Sequence, residues 1–384
     1  MIETKEETAL NPAVGATGGQ SIPCNELSIA EYSQNCNDNF SMERHEEMIR
    51  QMERLSDPDY LPTVTMQELY ETVYQSRPPI IDDLLYPGTY LFAGAPKVGK
   101  SFLMAQLAYH VSMGLPLWGY PVHKGTVLYL ALEDDHRRLQ GRLYRMFGMD
   151  GTNDLLFAIY AKQLGLGLEE QLKKFVREHP DTKLIIIDTL QKVREVGGDK
   201  YSYANDYEVV GKLKRLADDC GICLLLVHHT RKQQADDKFD MISGTNGLLG
   251  AADGAFLLQK EKRTDGSAIL DVAGRDQQDQ RMYLTKEKER LVWELERLET
   301  EPWMEPPDPV LEAVVALVTA DRPAWGGTAT ELAAAVQTDM KPNALAMRLN
   351  VRAGRLAAEY HIRYENSRSH AGRSITLTLE PPQA

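Results

Sequence analysis

Cysteine is scarce: Cys24, Cys36, Cys220 and Cys223 are the four thiols in a chain of 384 residues. A chain this long cannot be built on so few disulfides, so reduced thiols are expected. Cys220 and Cys223 have redox spacing, yet they lead into the apolar run Leu224-Leu225-Leu226-Val227 rather than opening a helix that would stabilise a thiolate. They read as small buried residues. No second Cys or His pair has the spacing to complete a zinc site. Long apolar runs are missing too, none approaching the about 20 residues that cross a bilayer, so no membrane partner is expected. The opening residues, Met-Ile-Glu-Thr-Lys-Glu-Glu, have neither a basic start nor an apolar stretch of the kind that directs secretion, and a cytoplasmic protein is expected.

What is there is unevenly charged. Residues 1–60 carry 12 Asp and Glu against 4 Lys and Arg, so −8 of the formal net charge of −13 lies in that segment and the rest is near neutral. Between Lys341 and Arg373 the sign reverses, with 7 basic residues against Glu359 and Glu365, a patch of the kind that meets nucleic acid. Residues 1–40 hold few large apolar side chains to offset the entropy of ordering, which predicts a disordered acidic tail. Residues 41–77 predict N-terminal helices over 41–55 and 65–75, the second stopped by Pro78-Pro79.

From 78 to 300, apolar strand-like runs alternate with helix-length segments, which predicts an α/β domain with a mostly parallel sheet. Its strands are expected at 89–93, 126–132, 155–159, 183–188 and 222–228. Shorter runs at 254–260, 268–273, 281–285 and 291–295, joined by turn signals such as Thr264-Asp265-Gly266, predict antiparallel hairpins at the end of the sheet. A proline-rich linker over 301–309 separates this from a small domain over 310–384. Its pattern is a helix over 310–320, a helix opened by the capping box Thr328 to Glu331, a helix over 342–357, then strand, turn and strand.

The chemistry starts at residues 94–101. Gly94-Ala95-Pro96-Lys97-Val98-Gly99-Lys100-Ser101 is a full G-x-x-x-x-G-K-[ST] match between a strand-like run and a helical one that starts near Lys100, and these residues with Phe102 are expected to bind the nucleotide. The two glycines let backbone N–H groups close around a phosphate at a helix N-terminus. Lys100 adds charge at the β- and γ-phosphates, and the Ser101 hydroxyl suits Mg²⁺. Nucleoside triphosphate binding, ATP with Mg²⁺, is expected. The run Leu184-Ile185-Ile186-Ile187 ends in Asp188, a carboxylate placed to hold Mg²⁺ through water. Because Asp188 is followed by Thr189 rather than Glu, the group that orients the attacking water must come from elsewhere. Glu133, at the end of the strand-like run Val127 to Leu132, is the candidate, with Asp134 able to share or replace it.

These runs, together with Leu224-Leu225-Leu226-Val227-His228-His229-Thr230-Arg231-Lys232, resemble the RecA-like ATPases. In particular they resemble the hexameric replicative helicases of plasmids and other mobile elements, the RepA and DnaB types, over about residues 78 to 295. The resemblance implies a RecA-like core, ATP hydrolysis by direct attack of water, a ring-shaped homo-oligomer and single-stranded DNA as partner. It also implies that His229, with His228 as substitute, senses the γ-phosphate, and that the loop after it, with Lys232 and Lys238, meets DNA. RepA-type helicases carry an arginine where this chain has Ser243, so the arginine finger is expected at Arg275. A regulatory or recombination ATPase that does not unwind DNA is the alternative. A small-molecule kinase lacks its arginine-rich lid here, and an ABC-type ATPase lacks the Leu-Ser-Gly-Gly-Gln signature.

The last domain resembles a winged helix-turn-helix. Its third helix spaces Leu345, Leu349, Val351 and Leu356 toward a core and Arg348, Arg352 and Arg355 onto a polar face, with Arg373 in the wing. Duplex DNA is the partner this implies.

Overall fold

The computed structural model describes residues 49, 57–74, 77–194, 203–230, 238–242, 246–260, 266–275, 277–300, 308–369 and 372–380. The chain divides into two compact units, Met1–Tyr60 and Leu61–Ala384; Ile49 in the first is helical, and the strands and helices named below lie in the second. The expected acidic tail and nearly all of the expected helix over 41–55 lie outside the described residues.

Five strands, β1 (Gly88–Gly94), β2 (Thr126–Ala131), β3 (Leu155–Ala158), β4 (Thr182–Asp188) and β5 (Cys223–His229), pair in parallel. A sixth, β6 (Gly254–Gln259), joins β1 in parallel, after which β7 (Ser267–Gly274), β8 (Gln280–Lys286) and β9 (Trp293–Thr300) continue antiparallel. The order across the sheet is β3-β2-β4-β5-β1-β6-β7-β8-β9. The α/β class read from the sequence is therefore present, a mostly parallel sheet finished by antiparallel hairpins. Every residue of β1 is buried, as befits a central strand covered on both faces.

Alternation along the strands separates the two faces. Phe92, Tyr129, Ile186 and Leu225 pack with α2 (Lys100–Met113) on one side, where Leu103, Met104 and Val111 are buried. Leu91, Ile185, Ile187, Leu224 and Leu226 pack on the other with Leu213 and Leu216 of a helix over Tyr203–Cys220. Cys223 is buried and Cys220 half-buried, both unoxidised, as expected of small packing residues. Among the described residues no helix is long and apolar enough to cross a membrane.

Before the sheet, α1 (Met66–Glu71) is shorter than the expected 65–75, though its capping box is formed by Thr65 and Glu68. After α2 come α3 (His136–Phe147), α4 (Leu168–Glu178), α5 (Leu190–Val193), α6 (Tyr203–Cys220) and α7 (Asn246–Ala251). The strand expected over 291–295 begins at Trp293 instead, because Leu291 takes a left-handed φ of 62° in a turn closed by Glu287 N–H donating to Val292 O at 2.9 Å.

The C-terminal domain has its own apolar core, built by α8 (Pro309–Val315), α9 (Ala329–Ala335), α10 (Pro342–Tyr360) and a sheet of order β10-β12-β11. Strand β10 (Ala324–Gly327) has no counterpart in the sequence pattern, its two glycines masking a short edge strand. Strands β11 (Ile362–Ser369) and β12 (Gly372–Leu379) pair antiparallel, as the strand, turn and strand pattern predicts. Val351 is a correction: it is exposed, whereas Leu345, Ala346, Leu349, Ala353 and Leu356 are buried. Position 351 lies two residues from 349, about 200° around the helix, so it faces away from the core. The buried Asn350 fixes α1 to this domain, donating to Tyr70 O at 2.9 Å and accepting from Tyr364 OH at 3.0 Å.

Candidate active site

The parallel strands end at one edge of the sheet, and the predicted phosphate site forms there. After β1 the chain turns through Lys97 and Gly99, at φ 66° and 115°, before α2 starts at Lys100. Two contacts demand glycine. A Cβ at Gly94 would meet Leu258 O at 2.7 Å, and one at Gly99 would meet the Trp293 ring at 2.7 Å. The turn is thus wedged between β6 and the start of β9, with its N–H groups gathered at the N-terminus of α2.

Lys100 is 7% exposed and folds back into the turn. Its ammonium donates to Gly94 O at 2.7 Å, to Ala95 O at 3.2 Å and to His229 Nδ1 at 3.2 Å. Burial pushes its pKa down to about 8, against the pull of Asp188 and Glu133. The His229 ring is likewise held below its usual range, first by burial and then by Lys100. The lowered His229 pKa favours a neutral imidazole, which can accept from the Lys100 ammonium. His229 pairs with Gly94 at the end of β1, while His228 is buried and alternates to the other face.

Asp188, 8% exposed at the end of β4, accepts from Ser101 Oγ and from Tyr129 OH, both at 2.8 Å on Oδ2. Burial raises its pKa, opposed by those two hydrogen bonds. Glu133 follows β2, next to β4, and its Oε1 accepts from Thr189 Oγ1 at 3.3 Å. Asp134, the alternative, is already engaged: its carboxylate takes Arg138 at 2.9 Å and Arg142 at 2.7 Å and is 11% exposed. Of the two carboxylates, Asp134 is thus the one held in ion pairs. A hydroxyl and a carboxylate in contact, with only oxygen donors, suit Mg²⁺, which takes one or two protein oxygens and completes its shell with phosphate and water.

Residues 55–235 match the AAA domain family. The matched segment contains the P-loop, Glu133, Asp188 and His229. Two solved structures are similar to it at 16% identity. One, an ATPase domain, has a TM-score of 0.45, and the match covers 67% of this chain and 99% of that one. The other, a DnaB-like replicative helicase described with its interactions with primase, has a TM-score of 0.46, and the match covers 67% of this chain and 72% of that one. No curated protein matches the chain.

The other predicted residues of this ATPase lie apart from the P-loop. Arg275 follows β7, whose last residue Gly274 pairs with Gly254 at the start of β6, so it sits at the opposite edge of the sheet from Lys100. It is exposed and its guanidinium donates to Gly250 O at 3.0 Å. It cannot serve its own P-loop from there. Lys238 faces Asp271 at 3.6 Å, a carboxylate also bound by Arg281 at 2.6 Å. Lys232 and Ser243 lie outside the described residues, as does the Arg373 side chain.

In the C-terminal domain Arg348 is not simply displayed: it binds Asp308 at 2.8 Å, the buried residue that caps α8. Arg355 is paired with Glu359 at 2.9 Å and is 11% exposed. Helical phase sets Glu359 one turn after Arg355, whereas Asp308 reaches Arg348 from the end of the linker. Sequence reading missed Tyr129 and Trp293, which hold Asp188 and the turn. Nothing local marks either, though Tyr129 is the one hydroxyl-bearing residue in the strand leading to Glu133 after Thr126.

Proposed function

We propose that the chain is an ATP-hydrolysing DNA helicase or translocase, acting as a ring-shaped homo-oligomer, hexameric by resemblance, in replication of a plasmid, phage or integrative element in the cytoplasm. The observation that carries this is the convergence of Lys100, Ser101, Asp188, Glu133 and His229 at one edge of the sheet. Lys100 moves from the backbone carbonyls to the β- and γ-phosphates when ATP enters. Ser101 and Asp188 hold Mg²⁺, which supplies charge neutralisation to the triphosphate. Glu133 orients water in line with the γ-phosphorus and accepts its proton as the bond to ADP breaks. His229, released by Lys100, then senses whether the γ-phosphate is present. It closes β5, whose chain continues into the segment proposed to meet single-stranded DNA through Lys232 and Lys238.

Arg275, at the far edge of the sheet, is proposed as the finger that reaches a neighbouring subunit. Duplex DNA is proposed to meet the C-terminal domain through Arg348, Arg352, Arg355 and Arg373, with Arg348 leaving Asp308 and Arg355 leaving Glu359 to do so. A forked duplex tests the reading. ATP-dependent strand displacement supports a helicase. DNA-stimulated hydrolysis without displacement supports instead the regulatory or recombination ATPase.

A further inference from the structure

Beside the P-loop, on the side away from Glu133, lies a group of cations and aromatic rings that the mechanism does not use. Phe102 is the residue after Ser101 in the first turn of α2. The Lys286 ammonium, at the end of β8, sits 3.6 Å from the centre of the Phe102 ring and 5.7 Å from that of Trp293. Lys260, just past β6, lies 5.4 Å from the Trp293 ring, and Arg142 of α3 lies 5.2 Å from the Phe102 ring. The pairing of Gly94 with Leu258 and of Ser267 with Thr285 places Lys260 and Lys286 at the same sheet edge as the P-loop.

Clustered cations at a half-buried position are costly without a compensating anion. The charged groups acting on Lys286 are Lys260, Arg145 and Arg142, which with burial bring its pKa down to about 8. Of these cations Arg142 is held by Asp134 at 2.7 Å, while Glu287, next to Lys286 in the chain, accepts from the N–H groups of Glu289 and Arg290 at 2.8 and 2.6 Å. A triphosphate whose γ end lies at Lys100, His229 and Glu133 runs back along the first turn of α2, so its α end emerges at Phe102.

We propose that Lys286 is a nucleotide-binding residue of this ATPase, its ammonium leaving the Phe102 ring to contact the α-phosphate of a bound nucleoside di- or triphosphate. The proposal rests on the P-loop being the nucleotide site. The test is equilibrium binding of methylanthraniloyl-ADP and methylanthraniloyl-ATP to the full chain, followed by fluorescence, for wild type, Lys286→Met, Lys286→Arg and Lys100→Ala. Lys286→Met keeps the stem that packs on Phe102 and should raise Kd for both nucleotides by the same factor, about tenfold. Lys286→Arg should bind like wild type at about pH 7, and between there and about pH 9 should lose less affinity than wild type, because a guanidinium stays charged. Loss from Lys100 is common to both proteins and cancels in that comparison.

Wild-type affinity in Lys286→Met, with thermal melting unchanged, overturns the proposal, and weakening of ATP alone overturns the α-phosphate placement. If Lys286→Met does not fold, identical pH profiles for wild type and Lys286→Arg overturn it. A wild-type protein that binds neither probe, or binding indifferent to Lys100→Ala, removes instead the nucleotide-site reading on which the proposal stands.

Discussion

Tyr129→Phe removes a single oxygen from the interior of the ATPase, and the structure sets what that should cost. Tyr129 is fully buried, and its hydroxyl donates to Asp188 Oδ2 at 2.8 Å, sharing that oxygen with Ser101 Oγ. Asp188 is itself almost fully buried, so solvent cannot replace the lost donor efficiently. A hydrogen bond to a charged group contributes about 1.5–3 kcal/mol. The phenyl ring leaves no orphaned donor of its own, which places the expected loss near about 2 kcal/mol. Urea unfolding should show it as a lower midpoint at unchanged m-value. The second consequence is functional: Tyr129 aims the carboxylate that is proposed to hold Mg²⁺, and removing such a support costs about tenfold or more in metal affinity. The Mg²⁺ concentration for half-maximal hydrolysis should rise accordingly. A stability loss below about 0.5 kcal/mol together with an unchanged Mg²⁺ requirement would refute the reasoning.

Other perturbations have equally definite expectations. Arg194→Met strips the partner from Asp206, which is fully buried and bound at 2.6 Å, and should destabilise the ATPase core by about 3–5 kcal/mol in urea. Asp308→Ala removes both the cap of α8 and the partner of Arg348, and thermal melting should show a loss of about 1–2 kcal/mol. Leu349→Ala should cost about 2–5 kcal/mol. Val351→Ala, two residues away but exposed, should stay within about 0.5 kcal/mol, and equal losses at the two sites would contradict the helix phase described for α10.

Local features are legible in the sequence and contacts between distant segments are not. The P-loop and Asp188 declare themselves because phosphate binding needs glycines, a lysine and a hydroxyl at fixed spacing beside a strand, and Glu133 because its strand ends in carboxylates. The choice between His228 and His229, and between Glu133 and Asp134, needs the register of β5 and the ion pairs of Asp134. Trp293, which packs on Gly99 from almost two hundred residues away, has no local signature. The same holds for Lys286 on Phe102 and for Arg348 on Asp308 across the linker. Val351 is misplaced by its sequence because a helix of alanines and arginines leaves its apolar phase weakly marked.

The measurement that tests the central claim most directly is ATP hydrolysis by the purified full chain with and without single-stranded DNA, with its mass in solution and Glu133→Gln alongside. The account predicts hydrolysis stimulated by DNA in a ring-sized particle, and a fall of at least about a hundredfold in Glu133→Gln with nucleotide binding retained. Hydrolysis by a monomer that ignores DNA, or a Glu133→Gln protein as active as wild type, would contradict it.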